Sequence, residues 1–188
     1  MNSSYDEVYK IRGANDPPAE QYEFQITRDE TALFTVGMEV PADLAAFNGS
    51  KDGRVHDGTF QEVDIETGDL IFQWQASKHF NLTKEFDAVK PKGGINRARE
   101  FFHISSVDKD GLGNYLAAFA FMNCLVYIDG KSGVVLWRLG GKNNTFEDLS
   151  DGDATNFNGS HYARFTNDGK SITLFDHNTT TSPAEAYT

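Results

Sequence analysis

The sequence predicts an all-β fold, and within that class a partial β-propeller of about three four-stranded blades. Patterns that favour helix are scarce, and short β-branched and aromatic runs alternate with turns rich in Asp, Asn and Gly. Two kinds of hairpin unit also recur along the chain. Two hairpins per repeat make a four-stranded sheet, and repeated sheets of this kind are typical of a propeller. Because one such sheet cannot bury both of its faces, the repeats must stack.

The first recurring unit covers residues 63–74 and returns at residues 128–139. In both copies an Asp is followed four residues later by Gly, and four residues after that by a large aromatic residue, Phe72 or Trp137. The Asp side chain can cap a tight turn, and Gly can adopt the positive φ that the turn requires. Each copy therefore predicts a β-hairpin, with Phe72 and Trp137 on the same face of the returning strand.

The second recurring unit begins with a ring-bearing residue at Tyr22, His103 and His161. Each ring is followed by a polar residue five positions later, by Asp seven positions later, and then by a second strand. The copies begin 81 and 58 residues apart (103 − 22 and 161 − 103). We expect residues 1–188 to form a single partial propeller whose blade repeats begin near residues 22, 103 and 161.

Helix and long-loop signals are confined to two regions. Only residues 41–47 and 83–89 are capable of a turn or two of helix. Residues 84–100 include Lys-Pro-Lys-Gly-Gly and two arginines, and they predict a long inter-blade loop. A solvated surface loop is the favoured interpretation of this basic segment, and a role in receiving an anionic substrate is the alternative.

The composition restricts the partners that the chain can have. The formal net charge is −11 and the isoelectric point is near 4.8, so the surface repels phosphate backbones and nucleic acid is not expected as a partner. No apolar run approaches the ~20 residues of a membrane span. The first seven residues lack the basic and apolar regions of a signal peptide. The single cysteine, Cys124, lies in an apolar run and is expected to be a small buried residue.

Sequons for N-glycosylation are more frequent than chance predicts. Six occur where the composition would give roughly two. They favour a glycoprotein of the secretory pathway or the extracellular space, although each could simply be turn chemistry. Since no leader precedes them, we expect a truncated product or an excised fragment. The sequons lie at Asn2, Asn48, Asn81, Asn143, Asn158 and Asn178.

Several stretches resemble the fungal branch of the arylsulfotransferase family. The most specific begins Phe-Phe-His-Ile-Ser-Ser-Val-Asp and covers residues 101–116. Residues 127–142 and 163–176 are also similar to the family, as are residues 60–79. The similarity extends from about residue 22 to residue 176, which is most of the chain.

This resemblance implies a six-bladed propeller that moves a sulfuryl group from an aryl sulfate to a phenol, two small-molecule partners, without a diffusible nucleotide donor. We expect no cofactor and no metal. In the family, histidines from the innermost strands converge on the central channel, and one of them becomes transiently sulfated. Imidazole suits this role because it is nucleophilic at neutral pH and leaves readily once sulfated. A basic side chain, usually Arg, stabilises the sulfate oxygens.

Matched position by position, His161 lies where the family has its nucleophile, and His103 lies at a second channel histidine. Tyr22 replaces a third family histidine and is expected to contact the substrate. Where the family usually has Ser-Ser-Arg-His, residues 118–121 are Ala-Phe-Ala-Phe, so the expected Arg is missing. Loss of that cation would cost a few kcal/mol of transition-state stabilisation. We therefore expect the chain alone to be a weak or inactive enzyme.

Two other functions remain open from the sequence. A quinoprotein propeller of the PQQ type has Asp, Ser/Thr-Gly and Trp at spacings like those of residues 129–137, but it normally adds a calcium site that the sequence does not show. A non-catalytic binding propeller is favoured by Tyr22 and by the apolar residues 118–121. Of the remaining histidines, His79 is expected to be structural, and His56 and His177 are assigned no role.

Overall fold

A computed structural model describes residues 3–87, 100–166 and 169–177, together with the backbone of residues 185–187. The predicted all-β class is confirmed, since the strands of these residues form three antiparallel sheets and helix is nearly absent. We call the sheets A, B and C in chain order. They remain three separate sheets within the described residues, so the closed ring and the number of blades stay predictions.

Sheets A and B have the four-stranded order expected for two successive hairpins, whereas sheet C has three described strands. Sheet A comprises β1 (Ala19–Ile26), β2 (Thr31–Ala42), β3 (Gly53–Asp64) and β4 (Leu70–Gln75). Sheet B comprises β5 (Ile104–Lys109), β6 (Tyr115–Phe119), β7 (Cys124–Ile128) and β8 (Val135–Gly140). Sheet C comprises β9 (His161–Thr166), β10 (Ser171–Asp176) and β11 (Glu185–Tyr187), with β10 in the middle.

Both hairpins of the first repeated unit are confirmed, and their turns use the predicted chemistry. In the β3–β4 turn, Oδ1 of Asp64 accepts a hydrogen bond from the N–H of Thr67 at 2.8 Å. Oδ1 of Asp129 accepts from the N–H three residues later at 2.7 Å, in the β7–β8 turn. Gly68 and Gly133 have φ values of 76° and 73°, which a side chain would strain.

The helical segments are shorter than the sequence predicts. Within residues 41–47 only Ala45–Phe47 form a turn, of the 3₁₀ type. The second predicted segment overlaps the four-residue helix α1 (Leu82–Glu85), which begins one residue earlier, and a further 3₁₀ turn at Ala76–Lys78 was not expected. The predicted loop at residues 84–100 thus begins inside α1, and its residues 88–99 lie outside the described residues. No helix among the described residues is long and apolar enough to cross a membrane.

The main core lies between sheets A and B. Phe60 and Trp74 from sheet A pack with Tyr115 and Phe119 from sheet B, and all four side chains are at most 2% exposed. Phe72 stacks on Tyr115 with ring centroids 4.5 Å apart. Burial of rings of this size supplies most of the free energy that docks two sheets.

A second core lies between sheets B and C. It joins Leu116 and Leu125 of sheet B to Ala163 and Leu174 of sheet C. Trp137 packs against this cluster at the edge of the same interface. The two aromatic residues predicted from the hairpin repeat therefore occupy comparable places, since Phe72 lies between sheets A and B and Trp137 between B and C.

Candidate active site at the starts of the innermost strands

The three predicted site residues lie at the first strands of their sheets. Tyr22 is within β1, His103 immediately precedes β5, and His161 is the first residue of β9. The Tyr22 and His103 rings meet edge to face, with centroids 4.3 Å apart. The His103 and His161 centroids are 6.5 Å apart. Residues separated by as many as 139 positions (161 − 22) are thus brought together around the starts of β5 and β9.

Two further rings complete this group, which we call the histidine cluster. Phe121, at the position where the resemblance places a family histidine, lies 5.2 Å from His103 between ring centroids. His177 lies 6.2 Å from His161, and the sequence assigned it no role. The sequence did contain a signal for this position of His177. His177 directly follows Asp176, which ends β10, the strand that pairs with β9. The cluster consists of Tyr22, His103, Phe121, His161 and His177.

Polar side chains of sheet A hold the free edge of β5. The N–H of Val107 donates to Oε2 of Glu23 at 3.1 Å, and Nε2 of Gln25 donates to the carbonyl oxygen of Val107 at 2.7 Å. Without these contacts, the N–H and C=O groups on the edge of β5 that does not pair with β6 would be buried without partners, which costs about 1–3 kcal/mol for each group. This pair of contacts fixes the position of β5, and so of His103, relative to Tyr22.

Side chains of sheet B hold the free edge of β9 in the same manner. The N–H of Ala163 donates to Oγ of Ser106 at 2.9 Å, and the N–H of Phe165 donates to Oδ2 of Asp108 at 2.8 Å. Oγ of Ser105 donates to the carbonyl oxygen of Ser160 at 2.6 Å, directly before His161. These contacts set the separation of the two histidines, because each joins the strand that carries one to the strand that carries the other.

Burial favours the uncharged forms of His103 and His161 near neutral pH. Desolvation lowers the pKa of His103 below its usual value, an effect that His161 reinforces and Glu100 opposes. Desolvation also lowers the pKa of His161, and His177 lowers it further. A neutral imidazole has a free lone pair on one ring nitrogen, which is the state that a nucleophile requires.

Arg164, on β9, already has an anionic partner. Nη2 of Arg164 donates to Oε2 of Glu23 at 2.6 Å, and the Arg164 guanidinium lies 4.1 Å from the centre of the Tyr162 ring. In the stretch where the family pattern has Arg, residues 118–120 are buried and apolar. The cluster therefore receives no positive charge from residues 118–121, and the charge of Arg164 is balanced by Glu23.

A cavity of about 360 Å³ opens beside Tyr22 and His103. Glu20, Asp57 and Glu100 are among its lining residues, together with His56. Burial raises the pKa values of Glu20 and Asp57 above those of ordinary carboxyl groups. The volume is sufficient for a single substituted aromatic ring. Its carboxylates are groups that could accept the proton of a phenol.

Within the described ranges, no three or more His, Cys, Asp or Glu residues are arranged to hold a metal ion.

The predicted structural role of His79 agrees with its position, since its ring stacks on Trp74 with centroids 4.6 Å apart. Cys124 is fully buried, as predicted, and burial raises the pKa of its thiol to about 11.

The described glycosylation sequons differ in accessibility. Asn48, Asn81 and Asn143 are exposed, and Oδ1 of Asn81 also caps α1 by accepting from the N–H of Thr83 at 3.0 Å. Asn158 is half-buried, and Ser160 of its sequon is completely buried. Asn2 and Asn178 lie outside the described residues. Glycosylation at any of these sites remains a prediction.

Comparisons with known proteins agree with the resemblance seen in the sequence. A family model described as arylsulfotransferase (ASST) matches residues 1–188. The chain has no significant match among curated proteins. A crystal structure at 1.35 Å of a protein of unknown function from Bacteroides caccae is similar, with 14% identity and a TM-score of 0.44. The match covers 85% of this chain and 40% of that chain.

Proposed function

Because this chain belongs to the arylsulfotransferase (ASST) family, we propose that its histidine cluster transfers a sulfuryl group from an aryl sulfate to a phenol. His161 is the nucleophile in this proposal, His103 assists it, and Tyr22 contacts the substrate. The observation that carries the proposal is the convergence of these three rings at the junction of sheets A, B and C, with centroids 4.3 and 6.5 Å apart. The cavity beside Tyr22 and His103 offers room for an aromatic ring next to them.

The proposed reaction has two displacements at sulfur. In the first, the lone pair of a neutral His161 nitrogen forms an N–S bond, and the S–O bond to the aryl group breaks. The electron pair leaves with the phenolate, which takes up the proton that the sulfated ring loses. In the second, the acceptor oxygen attacks the same sulfur, the N–S bond breaks, and its electron pair returns to the imidazole. The acceptor's proton restores the neutral ring.

His103 and the acidic cavity supply the supporting groups. His103 is neutral near pH 7 because burial lowers its pKa, so one ring nitrogen can donate a hydrogen bond to a sulfate oxygen while the other accepts a proton. The carboxyl groups of Glu20 and Glu100 line the cavity where an acceptor phenol would approach. Their location suits them to take the phenol proton as the acceptor attacks and to pass it to the imidazole that the second displacement releases.

The expected rate of the chain alone is low. The sulfate oxygens carry developing negative charge, and a preorganised cation that meets them is worth a few kcal/mol. Residues 118–121 provide no such cation, and Arg164 is paired with Glu23 at 2.6 Å. The six-bladed ring that would enclose the site, and the secretory or extracellular location that the sequons suggest, are parts of the same proposal.

Binding without turnover is the second candidate function. It is favoured by the contact of Phe121 with His103, at 5.2 Å between centroids, because this ring lies where the family pattern has a histidine. In that case the cluster and its cavity would retain an aromatic ligand without transferring a group. A quinoprotein function receives no support from the family comparison.

A transfer assay separates the two candidates. Purified protein is incubated with a chromogenic aryl sulfate and a phenol, beside His161→Ala and the matched control His79→Ala, which removes an exposed imidazole that lies in neither the cluster nor the cavity. Transfer predicts slow, time-dependent release of the chromogenic phenol, lost in His161→Ala and retained in His79→Ala. Equal background rates in all three proteins would reject the transfer reaction and leave binding as the function.

A further inference from the structure

A second and larger cleft lies at the opposite ends of the innermost strands. It has a volume of about 980 Å³ and is bordered by the ends of β1, β5 and β9, by the turns after β1 and β5, and by the start of β10 with the two residues before it. In the histidine cluster, His103 and His161 lie where β5 and β9 begin and Tyr22 lies in the first half of β1, whereas this cleft lies where the three strands end. No member of the cluster lines it. We call it the hairpin cleft.

One wall of the hairpin cleft is aromatic. Tyr127 and Trp137 stack with centroids 5.0 Å apart, and Phe165 meets Tyr127 edge to face at 5.8 Å. All three are only half-buried, so parts of the rings face the cleft. Partly exposed, mutually packed rings form a surface on which another aromatic ring can stack with little loss of side-chain entropy.

The cleft also contains cations that are available to an anion. Four basic side chains line it, and two of them are already paired, since Lys109 contacts Asp29 and Glu62 and Arg164 contacts Glu23. Arg28 and Lys170 take part in no ion pair between described residues. These two positive charges lie on a chain whose formal net charge is −11, so an anion would be attracted to them and repelled by most of the remaining surface.

Two carboxylates among the described residues line the cleft, and both have hydrogen-bond donors of their own. Oδ2 of Asp108 accepts from the N–H of Phe165 at 2.8 Å. Asp110 accepts from the hydroxyl of Tyr127 at 2.5 Å and from the backbone N–H groups of Leu112 and Asn114. Because these donors hold both carboxylates in the walls of the turns, neither is directed at Arg28 or Lys170 as an ion-pair partner.

From these features we propose that the hairpin cleft binds a small aromatic anion, meaning an aromatic ring that carries a sulfonate or carboxylate group. The ring stacks against Tyr127, Trp137 and Phe165, and the anionic group is attracted by Arg28 and Lys170. This site is separate from the histidine cluster, and its occupation does not depend on the proposed transfer reaction.

Tryptophan fluorescence provides a direct assay. The chain has two tryptophans, and Trp74 is 2% exposed and donates to the carbonyl oxygen of Gly133 at 2.9 Å. A saturable change on titration with benzenesulfonate would therefore arise from Trp137. We expect the neutral analogue benzyl alcohol, and the double variant Arg28→Gln/Lys170→Gln, to bind roughly five-fold more weakly, the effect of removing exposed charge contacts. The matched double variant Lys51→Gln/Lys131→Gln removes two cations outside the cleft and should bind as the parent does.

Each alternative result overturns the proposal. A fluorescence change that does not saturate, or equal affinity for benzenesulfonate and benzyl alcohol, would show that the cleft does not bind an anionic group. Equally weak binding of benzenesulfonate in the two double variants would show that the overall charge of the protein, and not the cleft, determines the affinity. His161→Ala should retain full binding, and loss of binding in that variant would place the ligand at the histidine cluster instead. Failure of the transfer assay leaves this result unaffected.

Discussion

The substitution Glu62→Gln tests how sheets A and B are held together. The Glu62 side chain is almost fully buried, on β3 of sheet A. Its carboxylate accepts hydrogen bonds from Thr31 at 2.5 Å, from Nζ of Lys109 at 2.9 Å and from the hydroxyl of Tyr115 at 2.5 Å. Two of these donors belong to sheet B, so one carboxylate joins the two sheets. Glutamine has nearly the same shape, but it loses the charge and directs an N–H₂ group at donors.

The expected cost follows from these contacts. Charge-assisted hydrogen bonds contribute about 1.5–3 kcal/mol each, and breaking a buried ion pair by changing one partner costs about 3–5 kcal/mol. The lower end applies because Lys109 keeps its contact with Asp29 at 2.7 Å and its side chain is 14% exposed. We expect a loss of roughly 3 kcal/mol in the free energy of unfolding, which lowers the Tm of a chain of this length by roughly 6–12 °C.

Thermal melting and urea unfolding of the two proteins measure this loss. The matched control is Glu39→Gln, whose carboxylate is 40% exposed and lies 3.2 Å from Nε of Arg54. An exposed pair of this kind contributes about 0–1 kcal/mol, so the control should change little. If Glu62→Gln were no less stable than Glu39→Gln, the buried network would not hold the sheets together.

Three further predictions concern the edge of β9, the histidines and the cysteine. Ser106→Ala leaves the N–H of Ala163 without its acceptor and should cost about 1–3 kcal/mol in urea unfolding, whereas the exposed Ser132→Ala should cost less than half as much. Because the folded-state pKa values of His103 and His161 lie below their unfolded values, the unfolded chain binds more protons, and stability should fall as pH is lowered from about 6.5. The decrease between pH 7.5 and 5.5 should be smaller in His103→Asn/His161→Asn. Cys124, with its pKa raised to about 11, should react with a thiol reagent at pH 8 only after unfolding, and rapid labelling of the folded protein would show that the thiol is accessible.

The parts of the fold that local chemistry determines were predictable from the sequence. The turns at Gly68 and Gly133 follow from an Asp cap and a positive φ, both of which act within a few residues. The placement of Tyr22, His103 and His161 at the first strands follows from a shared spacing to the next turn. Repetition was the useful signal in both cases, because a repeated sequence pattern indicates a shared local structure even when its tertiary contacts are unknown.

The parts that depend on docking between sheets were not predictable. The bond from Val107 to Glu23 joins residues 84 positions apart, and nothing in either local sequence marks it. His177 joins the cluster only because β10 pairs with β9 and thereby returns the chain to His161. The acidic cavity likewise combines residues from distant segments, such as Glu20 and Glu100.

Trapping of the sulfated enzyme tests most directly whether His161 receives the sulfuryl group. Protein held with excess aryl sulfate and no phenol acceptor is quenched in alkali, digested and analysed by mass spectrometry. Histidine catalysis predicts a peptide that contains His161 and carries one added SO₃ group, absent from His161→Asn and still formed in the exposed control His79→Asn. A parent protein without the adduct, or an adduct of equal amount in His161→Asn, would contradict the assignment of His161 as the nucleophile.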